Sequence, residues 1–227
     1  MSGFANIWHG LDWSVLTDIL FAVIPALICI TLHELSHGAV AYVLGDDTAK
    51  KAGRLTLNPI RHIDPWGLVM MVVFRFGWAK PVPVNMYRFK NPRRGMAVTA
   101  LAGPVSNLII AVVFLFLYGL LYRPLYMQGT AFSMAVLQMV MTTGYLSIAL
   151  AVFNIIPISP LDGSKVLFSV LSDRAYDKLM RYERYGMIVL MLLVVTGGLS
   201  GVLSTATGWV YDKLFFIAEF AFRLVNH

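Results

Sequence analysis

The sequence predicts an all-α membrane protein. The expected architecture is a polytopic bundle of about four transmembrane helices and an amphipathic C-terminal helix, with a small re-entrant or membrane-associated β element in residues 45–94. Three observations predict it. Of 227 residues, 58% are hydrophobic, against about 45–50% in soluble domains, and mean hydropathy is +0.71. Apolar runs of spanning length recur along the chain. Lys and Arg bunch in two segments between those runs, the pattern of loops retained in the cytoplasm.

The first expected span is Leu16 to Leu44. At about 1.5 Å per residue such a helix is longer than a hydrocarbon core of ~30 Å, so it must tilt or protrude. Pro25 removes one backbone bond within it, and Gly45-Asp46-Asp47 reads as its stop. Residues 45–94 are mixed. Arg54-Leu55-Thr56-Leu57-Asn58 alternates like a short strand, and Asn58-Pro59 and Asp64-Pro65 mark turns. Gly67 to Ala79 is apolar but too short to cross, which fits a re-entrant or membrane-surface element. Met96 to Tyr122 and Phe132 to Ile158 read as the second and third spans. Gly186 to Leu203, Gly-rich and barely long enough, reads as the fourth. Trp209 to Val225 carries Asp212, Glu219 and Arg223 on one face, as an interfacial amphipathic helix would. One domain over residues 1–227 is expected, since no soluble stretch is long enough to fold alone. No internal repeat or signal-peptide pattern is evident.

Charge fixes an expected orientation. The formal net charge is +6, and ten of 18 Lys and Arg lie between Gly45 and Arg94. Five more are Lys165, Arg174, Lys178, Arg181 and Arg184. With both segments cytoplasmic, the N-terminus lies outside. These charges flank spans instead of forming one face, which excludes nucleic acid as the natural partner. The single Cys29 lies within the first span. It permits no internal disulfide and reads as a buried structural thiol.

The chemistry is concentrated in His33-Glu34-Leu35-Ser36-His37, inside the first span. H-E-x-x-H on a helix sets two imidazoles one turn apart with a carboxylate beside them, the zinc-hydrolase arrangement. Ionisable residues inside a membrane read as functional. The pair falls about 10–16 Å along the helix from Leu44, its expected cytoplasmic end. A catalytic zinc takes three protein ligands and an open position, so a third is required. His62 is a possible ligand, but with Asp64 it reads as loop structure; His9 and His227 lie far from the pair in the expected topology. Asp162 follows Pro157 and Pro160 where the third span ends on the same side. The residues leave two readings open: Asp162 as a zinc ligand, or as the cap of the following helix.

Taken together, the motifs resemble the site-2 protease family of intramembrane zinc metalloproteases. His33-Glu34-Leu35-Ser36-His37 matches its H-E-x-x-H. Asn154, Pro157, Leu161, Asp162 and Gly163 match N-x-x-P-x-x-x-L-D-G. Gly103-Pro104-Val105-Ser106-Asn107 matches G-P-x-x-N, and the runs 53–59 and 77–85 are similar to family segments. The resemblance covers roughly residues 14–170, the expected catalytic core, and points to the compact branch without a PDZ domain.

It implies one zinc held by His33, His37 and Asp162, Glu34 as general base, and transmembrane-helix proteins as substrates within a lipid bilayer. Compact size and the lack of a targeting extension point to a prokaryotic plasma membrane as the expected location. Asn154 and Asn107 are candidates for stabilising the oxyanion; each also fits an interhelical hydrogen bond. Segments near 53–59 and 67–85 are expected to pair with an unwound substrate by edge addition. A non-catalytic zinc-binding protein or a zinc transporter is the rival reading, in which Glu34 is superfluous. Gly198-Leu199-Ser200-Gly201 mimics a serine-protease motif, but only His227 follows it.

Overall fold

The structure is a computed structural model that describes residues 13–67, 69, 78–172 and 185–226, with side chains described from residue 20. It is almost entirely helical. Helix α1 (Trp13–Val43) contains Pro25. It stops where Gly45 takes φ 105°; the Gly45 and Asp46 N–H groups bond back to the Tyr42 and Ala41 carbonyls, a Schellman closure that glycine permits. A single turn, α2 (Thr48–Lys51), follows.

Helix α3 (Pro92–Gln128) starts with Pro92 in its first turn and the Asn91 side chain accepting from the Arg94 N–H, and ends at Gly129 with φ 61°. Helix α4 (Ala131–Asn154) begins with a Thr130–Ser133 capping box and returns alongside α3. Short α5 (Asp162–Val170) follows, then α6 (Tyr185–Val195), α7 (Ser200–Leu214) and α8 (Phe216–Val225). Helix α3 is the hub, packing against α1, α4, α5 and α8. Ala111 and Leu115 of α3, Ile148 of α4 and Ala218 of α8 form a buried core cluster. Cys29 is buried and its Sγ lies 3.0 Å from Ser147 Oγ, tying α1 to α4.

Among the described residues, three helices are long and apolar enough to cross a membrane: α1 from Leu20, α3 and α4. Val105, Ile109 and Val113 on α3 are exposed, an outward apolar stripe that suits hydrocarbon. The protein is an integral membrane protein. The expected fourth span, Gly186 to Leu203, is not one straight helix. It breaks between Val195 and Ser200, and α6 meets the α7–α8 unit at 84°; the bent pair makes a fourth crossing only if taken together. Gly197 at φ 72° makes the break, a conformation glycine adopts freely. The expected amphipathic segment is two helices, α7 and α8, meeting at Phe215. Helix α8 packs through Ala218 and Ala221 and leaves Phe216, Phe220 and Leu224 exposed.

The expected β element is corrected. Among the described residues there is no strand, only one antiparallel bridge between Ile63 and Ala79. Residues 55–57 form bends, and Arg54 and Asn58 on either side have no regular structure. Side chains take the acceptors a ladder would use: the Thr56 carbonyl faces His62 Nε2 at 2.9 Å, and Arg54 donates to the Lys80 and Pro81 carbonyls. Pro81 and Pro83 contribute no N–H, which keeps prolines out of ladders. Most of the expected re-entrant stretch, residues 68 and 70–77, lies outside the described residues.

Residues 80–85 have no regular secondary structure and are pinned along their length. The Lys80 N–H donates to the His62 carbonyl, the Val82 N–H to Glu34 and the Asn85 N–H to buried Asp46. Burial alone disfavours a charge on Asp46. Hydrogen bonds from Thr48 and Asn85, with Arg88 nearby, outweigh it and hold the carboxyl below the usual carboxylate range.

Candidate metal centre

His33 and His37 sit one turn apart on α1 and are both buried. Their rings meet edge to face, with centroids 4.6 Å apart and the two Nε2 atoms 3.0 Å apart. Asp162 comes to them from the start of α5. Its Oδ2 lies 3.2 Å from His33 Nε2 and 3.1 Å from His37 Nε2. Asp162 does not cap α5: it is the helix's first residue, and the cap position, Leu161, makes no side-chain cap bond.

The face of α3 opposite the rings is shaped for them. Thr99, Gly103 and Asn107 recur at four-residue spacing, so they share a face, and all three are buried. His37 Nδ1 lies 2.7 Å from the Thr99 carbonyl. That carbonyl can only accept, so Nδ1 carries the proton and the Nε2 lone pair points inward. Asn107 Nδ2 lies 3.2 Å from His33 Nδ1, while its buried Oδ1 has no partner. A half-turn of the amide exchanges these atoms. Oδ1 then accepts from Nδ1–H, and His33 takes the same tautomer as His37. Gly103 is what admits the rings: a Cβ there would stand 2.5 Å from His37 Nε2.

The donor set fits a cation. Two ring lone pairs and a carboxylate oxygen converge, and Asp162 Oδ2 accepts no hydrogen bond although it is buried. Buried polar atoms are nearly always partnered, and three acceptors facing one another at about 3 Å need a shared positive charge. Among the described residues, His33, His37 and Asp162 form the cluster able to hold a metal ion. Their types, two neutral imidazoles and a carboxylate, suit zinc. Lys165 Nζ, 3.4 Å from Asp162 Oδ1, favours the ionised carboxylate that a metal ligand must be.

Glu34 stands beside this cluster, its Oε2 accepting from the Val82 N–H at 2.8 Å. Two cavities meet at it. The polar one, about 290 Å³, is lined by His33, Glu34, His37, Thr99, Asp162 and Lys165. The second, about 310 Å³, has largely apolar walls. Asn154 lines both, and its Nδ2 donates within its own helix to the Leu150 carbonyl at 3.0 Å. Asn107 reaches His33 instead of the polar cavity, which places it behind the imidazole.

The remaining sequence candidates lie apart. His62 is buried against Thr56, and Asp64 accepts from the Trp66 and Gly67 N–H groups as a turn residue. The Ser200 hydroxyl donates to the Gly197 carbonyl at 2.7 Å. His9 and His227 lie outside the described residues. Sequence reasoning missed three contributors. Lys165 Nζ lies 3.4 Å from Asp162 Oδ1, signalled only by its i+3 spacing from the aspartate. The Thr99 carbonyl had no side-chain signal. Val82 was hidden because its contribution is a backbone N–H.

Comparison with known proteins agrees with this chemistry. The profile of Peptidase family M50 matches residues 122–197, a stretch that includes Asp162. "Putative zinc metalloprotease YwhC" of Bacillus subtilis is 43% identical over 78% of this chain and 80% of its own length. "Putative zinc metalloprotease Rip2" of Mycolicibacterium smegmatis is 28% identical over 82% of this chain and 71% of its own. "Zinc metalloprotease MJ0392" of Methanocaldococcus jannaschii is 26% identical over 76% of this chain and 39% of its own. No solved structure matches. The identity to the Bacillus protein, spread over most of both chains, shows that this chain belongs to peptidase family M50.

Proposed function

We propose that the protein is an intramembrane zinc metalloprotease of the H-E-x-x-H type, hydrolysing a peptide bond within or near a transmembrane segment of membrane-protein substrates. The observation that carries this reading is the convergence of His33, His37 and Asp162 within about 3 Å beside Glu34, on a helix long and apolar enough to span. One zinc per chain fits the single cluster.

His33, His37 and Asp162 would hold zinc, which would supply activation of a water and polarisation of the scissile carbonyl. The chain's own groups handle protons and position. Glu34 takes the proton of the attacking water and returns it to the leaving nitrogen as the C–N bond breaks. The water oxygen stays in the new carboxylate. The Val82 N–H fixes the Glu34 carboxylate on the side that faces both cavities. Lys165 holds the second oxygen of Asp162, leaving Oδ2 to the metal. Asn154, on the wall shared by the cavities, is placed for the substrate carbonyl; Asn107 orients His33, as partners of ligand histidines do.

The bias of Lys and Arg toward two loops supports an N-terminus outside and a site toward the cytoplasmic side. A peptide bond inside a substrate helix is shielded by its own hydrogen bonding, so the substrate unwinds before water reaches it. Residues 80–85, joined to Glu34 through the Val82 N–H, are the stretch assigned to hold it.

The test is co-expression with a panel of single-span substrates, comparing parent and Glu34→Gln. Cleavage within the span should fall by at least about a hundredfold in the variant, with zinc content unchanged. Zinc movement that survives the substitution, with no cleavage by the parent, would favour a transporter.

A further inference from the structure

The apolar cavity has no part in the chemistry just described, yet it opens onto Glu34. It shares His33, Glu34, Pro81, Asn154 and Pro160 with the polar cavity, so the two adjoin at the catalytic corner. Its remaining apolar walls include Ile30 of α1, Trp78, Leu150 and Phe153 of α4, and Met187 and Leu190 of α6. Ile30 lies one turn before Glu34, and Leu150 one turn before Asn154. The cavity therefore leads along α1 and α4 away from the metal cluster, opposite to Lys165.

Resting on the proteolytic reading, we propose that this cavity is the subsite for one large apolar side chain of the substrate, the residue adjoining the scissile bond. Size and chemistry select that occupant. An apolar cavity of about 150 Å³ accepts a benzene ring. One of about 310 Å³ takes a Phe, Leu or Met side chain together with its backbone attachment. Its polar lining residues, His33, Glu34, Asn107 and Asn154, belong to the catalytic corner. A charged side chain placed deeper would lose its water and find no partner there, which is strongly unfavourable. A small side chain would leave the walls without contacts. Glu34 in its wall keeps the occupant within one residue of the bond that is cut. Met187, flexible and polarizable, lets the α6 wall adapt to ring or branched shapes.

The test uses the zinc-loaded protein and two readouts. The first is the affinity of peptidyl hydroxamates that differ only in the side chain next to the zinc-binding group: benzyl, isobutyl, methyl or carboxymethyl. The second is the cleavage rate of one single-span substrate carrying Phe, Leu, Ala or Asp at each residue flanking its mapped cut.

The parent should bind the benzyl and isobutyl compounds about tenfold or more tighter than the methyl one, and the carboxymethyl one most weakly. Cleavage should follow the same order at one flanking position. Met187→Trp, at a position 43% exposed and so tolerant of a larger ring, narrows the cavity. It should lose the benzyl preference while methyl binding stays within about twofold; Leu150→Trp should act the same way. Equal affinity across the series in the parent, or equal weakening of all compounds in both variants with zinc content intact, overturns the subsite. Selective hydroxamate binding without cleavage of any substrate would instead uphold the subsite and reject the proteolytic reading.

Discussion

Two close approaches that helix α3 makes through glycines, at Gly103 and Gly119, serve different ends. At Gly103 the neighbours are the imidazoles of His33 and His37; at Gly119 they are the backbone of Ala218 and the side chain of Ala221 on α8. One turn to either side of Gly103 stand Thr99 and Asn107, each turned to a ring nitrogen. Around Gly119 stand Leu115, part of the buried core, and Tyr122, whose ring meets Phe222 edge to face. The first contact is polar and places chemistry. The second is apolar and holds the bundle together, as small residues do between membrane helices. The lesson is that a small residue in a span marks a close approach, and its polar neighbours on the same face tell what is approached.

Three substitutions sharpen that contrast. Gly103→Ala should have the largest effect. Its Cβ would overlap both rings, so zinc affinity should fall by more than about a hundredfold, beyond what an outer partner controls. Cleavage should vanish with it, and metal titration of the purified variant checks both. Asn107→Ala comes next. It removes the group facing His33 Nδ1 and should weaken zinc about ten- to hundredfold while the helical content is retained. Gly119→Ala should leave zinc affinity unchanged. It overpacks α3 against α8 and should cost about 1–3 kcal/mol of stability, read as a lower unfolding midpoint in detergent. Equal loss of zinc in the two glycine variants would erase the distinction.

Much of this was legible in the chain because the signals are local. Helical periodicity alone puts His33, Glu34 and His37 on neighbouring faces, and apolar length alone marks α1, α3 and α4. Asp162 needed more: its place at the end of the third span, and the motif around it. The tertiary details were not legible. Asn107 could be assigned to a helix but not to His33, because spacing does not say which helix lies opposite. The alternation at 54–58 looked like a strand, yet Arg54 and His62 bind the carbonyls that pairing would have used. The break before Ser200 was marked by Gly197-Gly198, whose effect apolar length obscured. Lys165 was counted among cytoplasmic charges, and only the fold brings it to Asp162.

The central claim is that two imidazoles on one helix and a carboxylate from another hold one zinc. Metal analysis with zinc-edge X-ray absorption, on the purified parent and on Asp162→Ala, tests it most directly. The account predicts one zinc per parent chain, with nitrogen neighbours at about 2.0–2.1 Å and a carboxylate oxygen at about 2.0–2.2 Å, and a variant that loses the metal. An Asp162→Ala protein that retains a full zinc with an unchanged spectrum would contradict it.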